Sequence, residues 1–383
     1  MDFIKRYFKA PNTSFFLLGP RGTGKSTFLR QHYKNALWFD CLDPETERLF
    51  YTHPERLTQM INAKPHLKLI IIDEVQRVPQ VLTVVHQMIE ADKSLQFILT
   101  GSSSRKLKRS NVDLLAGRAL NCTFHPFIAT ELGDEFDLTS ALHNGLIPLI
   151  LKAENPPATL QAYISLYLRE EVLMEGLVRN LDDFSRFLEA VSFSHASILN
   201  LTNIGRECGV KRKTVENYIH ILKDLLLAFE LPVFTKKAQR LLALSPKFYL
   251  FDAGVFRALR PKGPLDYPEE IDGMALEGLV AQHLRAWNDY TGQEHQLSFW
   301  RTRAGLEVDF IVYGVTHFWA IEVKNTHKIY NKDVKGLNAF LSDYPMAKGF
   351  LLHRGKDEWQ EGKIHYMPCD KFLREILLVN ENH

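Results

Sequence analysis

The run Gly19-Pro20-Arg21-Gly22-Thr23-Gly24-Lys25-Ser26-Thr27 has the spacing GxxxxGK[ST]. Glycines at these positions let backbone N–H groups converge on phosphate oxygens where a helix begins. Lys25 is then expected on the β- and γ-phosphates, and the Ser26 hydroxyl on Mg²⁺. Downstream, Leu69-Ile-Ile-Ile-Asp73-Glu74 is an apolar run tipped by two carboxylates. Asp73 is expected to hold Mg²⁺, directly or through water, and Glu74 to orient and polarise the attacking water. A second apolar run, Phe97–Leu99, ends in Thr100-Gly-Ser102-Ser-Ser104. Thr100 or Ser102 there senses the γ-phosphate, unless the hydroxyls only build a turn. Arg118 is either an arginine finger acting in trans within an oligomer or an ordinary surface arginine. Together these residues predict Mg²⁺-dependent hydrolysis of ATP.

A second constellation lies near the other end. Glu307-Val-Asp309 opens one apolar run, and Ala320-Ile-Glu322-Val-Lys324 closes another. On a strand, Glu322 and Lys324 share a face, and Asp309 on a neighbouring strand can lie beside them. Two carboxylates and a lysine so placed can bind Mg²⁺ and position a water for attack on a phosphodiester. Glu277, on a preceding helix, can complete the metal shell. The plainer alternative is a solvated Glu–Lys pair on a half-exposed strand.

The surrounding pattern must position these groups. Phe15–Leu18, Ala36–Phe39, Leu69–Ile72 and Phe97–Leu99 are continuous apolar runs, as in strands buried on both faces. Helical stretches such as Lys25–Tyr33 and Val81–Asp92 separate them, which predicts a parallel sheet covered by helices. Residues 155–198 read mostly as helix. Within them Arg169 either contacts nucleotide or forms a helix-surface salt bridge. Leu201–Val210 and Lys211–Leu222 read as a helix–turn–helix, with Thr202 as N-cap and Gly209 at the turn. Val215, Tyr218, Ile219, Leu222, Leu225 and Leu226 give its second helix one core face. Lys211, Arg212, Lys213 and Thr214 remain at that helix's exposed start, where a recognition helix meets DNA. Leu231–Phe234 and Phe248–Phe251 are the expected wing strands. Over residues 199–240, eight Lys and Arg face four Asp and Glu. That local excess suits phosphate contact, although such modules also serve as packing or protein-contact elements.

Composition sets the limits. The chain has 383 residues, 45% hydrophobic and 24% charged, as in an ordinary globular protein of two or three domains. No apolar run is long enough for a membrane helix, and the N-terminal residues lack a signal-like apolar stretch. The four cysteines are widely spaced, which argues against a zinc ribbon or a disulfide scaffold. A cytoplasmic setting and no membrane partner are therefore expected. The net charge of +2 says nothing about nucleic acid, so any such contact rests on local patches.

Gly19–Thr27, Leu69–Val75 with Gln76, Leu99–Ser104 and Ala116-Gly-Arg118 resemble the AAA-type ATPase domain of a broad prokaryotic family. In that family the domain is followed by a C-terminal region of unknown function. Tyr249-Leu-Phe-Asp-Ala-Gly254 is similar to that family's segment after the winged helix. Asp309 with Glu322-Val-Lys324 resembles the acid and ExK elements of PD-(D/E)XK nucleases. Val308 stands where that motif has proline, and Trp300-Arg301 precedes it. By this resemblance Glu277 takes the helix-glutamate role.

The implied fold class is α/β. An AAA-type P-loop core spans 1–138, a helical lid 139–198, a winged helix 199–260 and a nuclease-like α/β domain 268–383. The implied function is ATP hydrolysis coupled to DNA binding or processing, with nuclease activity left open. ATP and Mg²⁺ are the implied cofactors and DNA the implied partner. A homo-oligomer or a protein partner also fits. The alternative is a nucleotide-dependent, protein-binding switch whose nuclease-like domain is catalytically silent.

Overall fold

The computed structural model describes residues 4–103, 115, 117–168, 180–235 and 245–376. Ser104, Ala116 and Arg169 lie outside them. The chain divides into two compact units. One holds residues 6–125 with 223–227, and the other holds 1–5, 126–222 and 228–383.

The first unit is built on β1 (Phe15–Leu18), β2 (Leu37–Asp40), β3 (Leu69–Asp73), β4 (Gln96–Gly101) and β5 (Leu120–Thr123). These strands form one parallel sheet in the order β2-β3-β4-β1-β5. The apolar runs predicted as strands are thus strands: β1 has the predicted bounds, β2 is shifted by one residue, β3 gains Asp73, and β4 gains Gln96, Thr100 and Gly101. Helix α1 (Lys25–His32) follows β1, α2 (Pro44–Thr52) and α3 (Arg56–Asn62) follow β2, and α4 (Val81–Ala91) joins β3 to β4. Phe16, Ile70, Ile72, Phe97 and Leu99 are fully buried beneath the helices. Phe15, Leu17, Ile71 and Ile98 on the opposite face are buried as well, so β1, β3 and β4 have no wet face and read as unbroken apolar runs, whereas the edge strand β5 is partly exposed. Parallel pairing also brings Leu18 beside Gly101 and Asp40 beside Asp73. The carboxyl ends of the strands share one edge, the usual ligand edge of an open α/β sheet.

In the second unit, helix Leu181–Ser192, β6 (Ser197–Ile198), helices Leu201–Cys208 and Arg212–Asp224, β7 (Ala228–Leu231) and β8 (Lys247–Leu250) follow one another. The strands form a small antiparallel sheet in the order β6-β8-β7. Between the two middle helices Gly209 has φ +70°, a turn conformation that costs glycine nothing. Asn200, not Thr202, caps the first of them, its side chain accepting from the Asn203 N–H. The cap lies two residues earlier than expected, so Thr202 sits inside the helix's first turn. β7 also ends earlier than the predicted Leu231–Phe234. Pro232 has no N–H to continue the ladder. Phe234 instead pairs with Phe299 and packs against Phe318, Phe340 and Tyr344.

The C-terminal part starts with the long helix Pro268–Thr291. After it come β9 (Gln296–Arg301), β10 (Glu307–Tyr313), β11 (Phe318–Val323), helix Lys335–Asp343, β12 (Lys348–His353), β13 (Trp359–Glu361) and β14 (Ile364–Pro368). The six strands pair in the order β13-β14-β12-β11-β10-β9. β9, β10 and β11 are antiparallel, and β12 joins β11 in parallel after the helical crossover. Trp300, Val308, Ile311, Ala320, Leu337 and Phe340 form the core between the sheet and that helix. Among the described residues no helix is long and apolar enough to cross a membrane.

Asp252 staples this unit. Its carboxylate is buried and accepts from the N–H groups of Leu146, Gly254 and Val255 at 2.7, 2.9 and 3.1 Å. Burial outweighs these donors and pushes its pKa up to about 6 from 3.8. Between these values the folded chain holds a proton that the unfolded chain releases. The group's contribution to stability therefore falls as pH rises from about 4 to 6 and is level above that. Asp252→Ala leaves buried N–H donors unpaired and is expected to destabilise this unit by about 2–3 kcal/mol. Urea unfolding should show an earlier midpoint and a shallower pH slope between 4 and 6; unchanged values contradict the assignment.

Candidate functional site

At the first unit's ligand edge, the loop after β1 is held from several sides. Gly19 N–H donates to the Gly101 carbonyl at 3.2 Å, tying the loop to the end of β4. Gly24, with φ +90°, is the N-cap of α1, so Lys25 is that helix's first residue. The glycine spacing thus delivers the lysine and hydroxyl directly to a helix N-terminus, whose free N–H groups favour anions. Lys25 is 5% exposed, and its Nζ donates to the Gly19 and Pro20 carbonyls at 2.7 and 3.3 Å. The ammonium therefore points into the loop. Thr23 is buried, and its hydroxyl donates to the Pro20 carbonyl at 2.8 Å. Pro20, Arg21 and Gly22 complete the loop, and Thr27 lies in the first turn of α1.

The acidic half lies at the tip of β3. Asp73 is 3% exposed. Burial raises its pKa, while hydrogen bonds from the Thr100 and Ser26 hydroxyls counteract that rise. Carboxylate and hydroxyl oxygens form the donor set that Mg²⁺ prefers, so Ser26 and Asp73 fit that ion. Glu74 has φ +56°, a strained backbone for a side-chain-bearing residue. Its N–H donates to Thr100 Oγ1 at 3.0 Å. Its carboxylate accepts from Gln76 Nε2 at 2.5 Å and Ser102 Oγ at 3.3 Å, and Gln76 also reaches Ser102 at 3.1 Å. Of the two hydroxyls proposed as γ-phosphate sensors, Thr100 serves Asp73 and Ser102 serves Glu74. Arg118 is ion-paired with Glu90 of α4.

One contributor carries no sequence signature. Arg6 donates to the Thr23 carbonyl at 2.9 Å and the His125 carbonyl at 2.6 Å, with its guanidinium 4.1 Å from the centre of the Phe124 ring. It braces the phosphate loop from the N-terminal segment. A lone arginine before the first strand gives no hint of this role.

In the second unit the carboxylates meet a residue the motifs did not include. Lys247, the first residue of β8, is 3% exposed. Its Nζ lies 2.6 Å from Glu307 Oε1, 2.9 Å from Glu277 Oε1 and 3.2 Å from Asp309 Oδ1. Burial favours loss of its proton, but Glu277, Asp309 and Glu307 outweigh that effect and hold the pKa above the usual lysine value. Tyr249 donates to Glu277 Oε1 at 2.6 Å. Asp309 Oδ2 accepts from the Val323 N–H at 2.9 Å, which binds β10 to the end of β11. Glu322 pairs with Lys324, whose Nζ lies 2.5 Å from Oε1. Its buried Oε2 has no hydrogen-bond partner among the described residues. Burial, then the charge of Asp309, pushes the pKa of both Glu277 and Glu322 up.

The metal expectation for Glu277, Asp309 and Glu322 is not met by this geometry. Among the described residues no group of three or more His, Cys, Asp or Glu is arranged to hold a metal ion. The point on which Glu277, Glu307 and Asp309 converge is taken by an ammonium, and Glu322 faces Lys324 instead.

Residues 11–133 match the AAA domain family. Residues 135–266 and 272–372 match two domains of unknown function, DUF8612 and DUF4143. The first unit is thus an AAA-type P-loop nucleotide-binding domain. No curated protein matches the chain. Among solved structures, a replication initiator DnaA bound to AMPPCP and single-stranded DNA is 16% identical, with 55% of this chain and 82% of that chain covered and a TM-score of 0.29. Domain III of DnaA from Thermotoga maritima is 13% identical, with 44% and 80% covered and a TM-score of 0.23. Protein VC1899 from Vibrio cholerae is 11% identical, with 96% of each chain covered and a TM-score of 0.23. At these TM-scores the likenesses carry no argument.

Lys25→Ala removes the cation aimed into the loop and is expected to weaken binding of a fluorescent ATP analogue about 100-fold or more. An unchanged titration curve would contradict the cradle.

Proposed function

We propose that the chain is a Mg²⁺-dependent ATP hydrolase whose second unit contacts nucleic acid. The observation that carries the hydrolase reading is the Glu74–Gln76–Ser102 network beside a buried Asp73, at the strand edge that also bears the phosphate loop. Gly19–Thr27 bind the phosphates through backbone N–H groups, and Lys25 draws negative charge towards them. When bound, Mg²⁺ neutralises phosphate charge, with Ser26 and Asp73 as its protein partners. Glu74, fixed by Gln76 and Ser102, orients a water and accepts its proton. The arrangement adds no covalent chemistry; it positions groups and stabilises charge, which is what phosphoryl transfer requires.

The nucleic-acid reading rests on residues 181–250. Their helix, strand, two helices and two strands, with sheet order β6-β8-β7, support a winged helix. Lys211, Arg212 and Lys213 are exposed at the start of its second inner helix. Glu216 neutralises part of this charge by pairing with Arg212 at 3.0 Å.

The C-terminal helix, three antiparallel strands, crossover helix and parallel strand support a PD-(D/E)XK-like fold, with Asp309 and Glu322 on adjacent strands. For this domain the silent, non-cleaving reading is favoured, because Lys247 holds Glu277 and Asp309, two of the three carboxylates that cleavage would need.

Glu74→Gln is expected to keep nucleotide affinity while turnover falls about 100-fold. Equal turnover would refute its role in activating water. Lys211→Ala with Lys213→Ala is expected to weaken binding to a DNA duplex several-fold and to reduce the salt slope by about 2. Native protein with no salt-dependent DNA binding would leave the protein-binding switch as the better reading.

A further inference from the structure

We infer that Lys247 is a built-in substitute for a divalent cation, so that the C-terminal carboxylate cluster is an internal ion-pair lock, opened to metal only when the lysine is removed. The inference deepens the silent reading of this domain and rests on it.

The cluster comes from distant parts of the second unit. Lys247 stands at the start of β8, Glu277 on the long helix, and Glu307 and Asp309 on β10. Three carboxylate oxygens surround one nitrogen at 2.6–3.2 Å. These are the spacings of charge-assisted N–H···O bonds; Mg²⁺ requires about 2.0–2.1 Å and Ca²⁺ about 2.3–2.6 Å. Of the three donors of an ammonium, one goes to Glu277 and one to Asp309, and Glu307 adds a close ion pair. The ammonium itself is almost wholly closed to water.

The surroundings fix the acceptors independently of the lysine. Tyr249 holds Glu277, the Val323 N–H holds Asp309, and Arg301 Nη1 lies 3.4 Å from Glu307 Oε2. Removing the lysine therefore leaves three oriented, mutually repelling carboxylates. A buried charge that loses its partner is strongly destabilising. A divalent cation is the ligand class that satisfies this set, because it supplies two positive charges to oxygen donors without hydrogen-bond geometry.

The position of Lys247 also gives the lock a mechanical role. β8 belongs to the small sheet and β10 to the C-terminal sheet. The ion pairs, together with the Phe234–Phe299 backbone pairing, join the two within one unit.

The test uses nucleotide-free full-length protein and Mn²⁺ alone, read by electron paramagnetic resonance and thermal unfolding. Native protein is expected to take up no Mn²⁺ at the cluster and to show no shift in unfolding temperature that depends on Asp309. Lys247→Ala is expected to unfold earlier in chelator and to gain a saturable upward shift of about 5 °C with excess Mn²⁺. Adding Glu277→Gln and Asp309→Asn should restore stability in chelator and abolish the metal response. If Lys247→Ala cannot be obtained folded in chelator, recovery of folded protein only when Mn²⁺ is present supports the inference. Native Mn²⁺ binding that Asp309→Asn removes would overturn it, as would a Lys247→Ala protein indifferent to Mn²⁺. Metal-dependent plasmid nicking by native protein, lost on Asp309→Asn, would refute the silent reading itself. A metal-indifferent Lys247→Ala with no native nicking would refute the substitution alone.

Discussion

A positive charge taken out of water must be met by negative charge and hydrogen bonds, or it is lost. Lys247 meets that condition with three carboxylates from two other elements. In return it relieves the repulsion that would follow from placing Glu277, Glu307 and Asp309 together. Neither side of the arrangement is tolerable alone. The small antiparallel sheet and the C-terminal sheet are thereby made parts of one compact unit, and the acidic cluster becomes a structural element.

The other acidic centre obeys the opposite rule. At the end of β3, Asp73 is buried beside the hydroxyls of Ser26 and Thr100, and Lys25 donates to the loop carbonyls. Hydroxyl partners orient a carboxylate without cancelling its charge. The strained backbone of Glu74 and its hydrogen bonds to Gln76 and Ser102 hold a second carboxylate next to it. One chain therefore contains two carboxylate sets of similar composition. One is partnered by hydroxyls and an amide, and the other is paired with an ammonium from its own unit.

The legible parts of the sequence were those whose determinants lie close together in the chain. The phosphate loop needs nine consecutive residues, and the parallel sheet announces itself because strands buried on both faces are uninterrupted apolar runs. Val215, Tyr218, Ile219 and Leu222 on the core face of Arg212–Asp224 followed from helical spacing, and the turn from a glycine, whereas Leu225 and Leu226, expected on the same face, lie beyond the helix end. Partnerships across the fold were not legible. Lys247 finds Glu277 and Asp309 at separations of 30 and 62 residues. In sequence it is only a lysine before Phe248–Phe251, and strand alternation tells which face a residue takes but not what waits there. Arg6 reaches His125 across 119 residues, and Arg118 finds Glu90 across 28. The acid and ExK pattern of the C-terminal sheet identified the right strands, yet an intruding charge from outside the pattern changes what they can bind.

The most direct test of this contrast is anomalous diffraction at the manganese edge from crystals of the native protein grown with Mn²⁺ and a non-hydrolysable ATP analogue. The account predicts a peak beside Ser26 and Asp73 and none among Glu277, Glu307 and Asp309. A peak in the second cluster, with Lys247 displaced from it, would contradict the account.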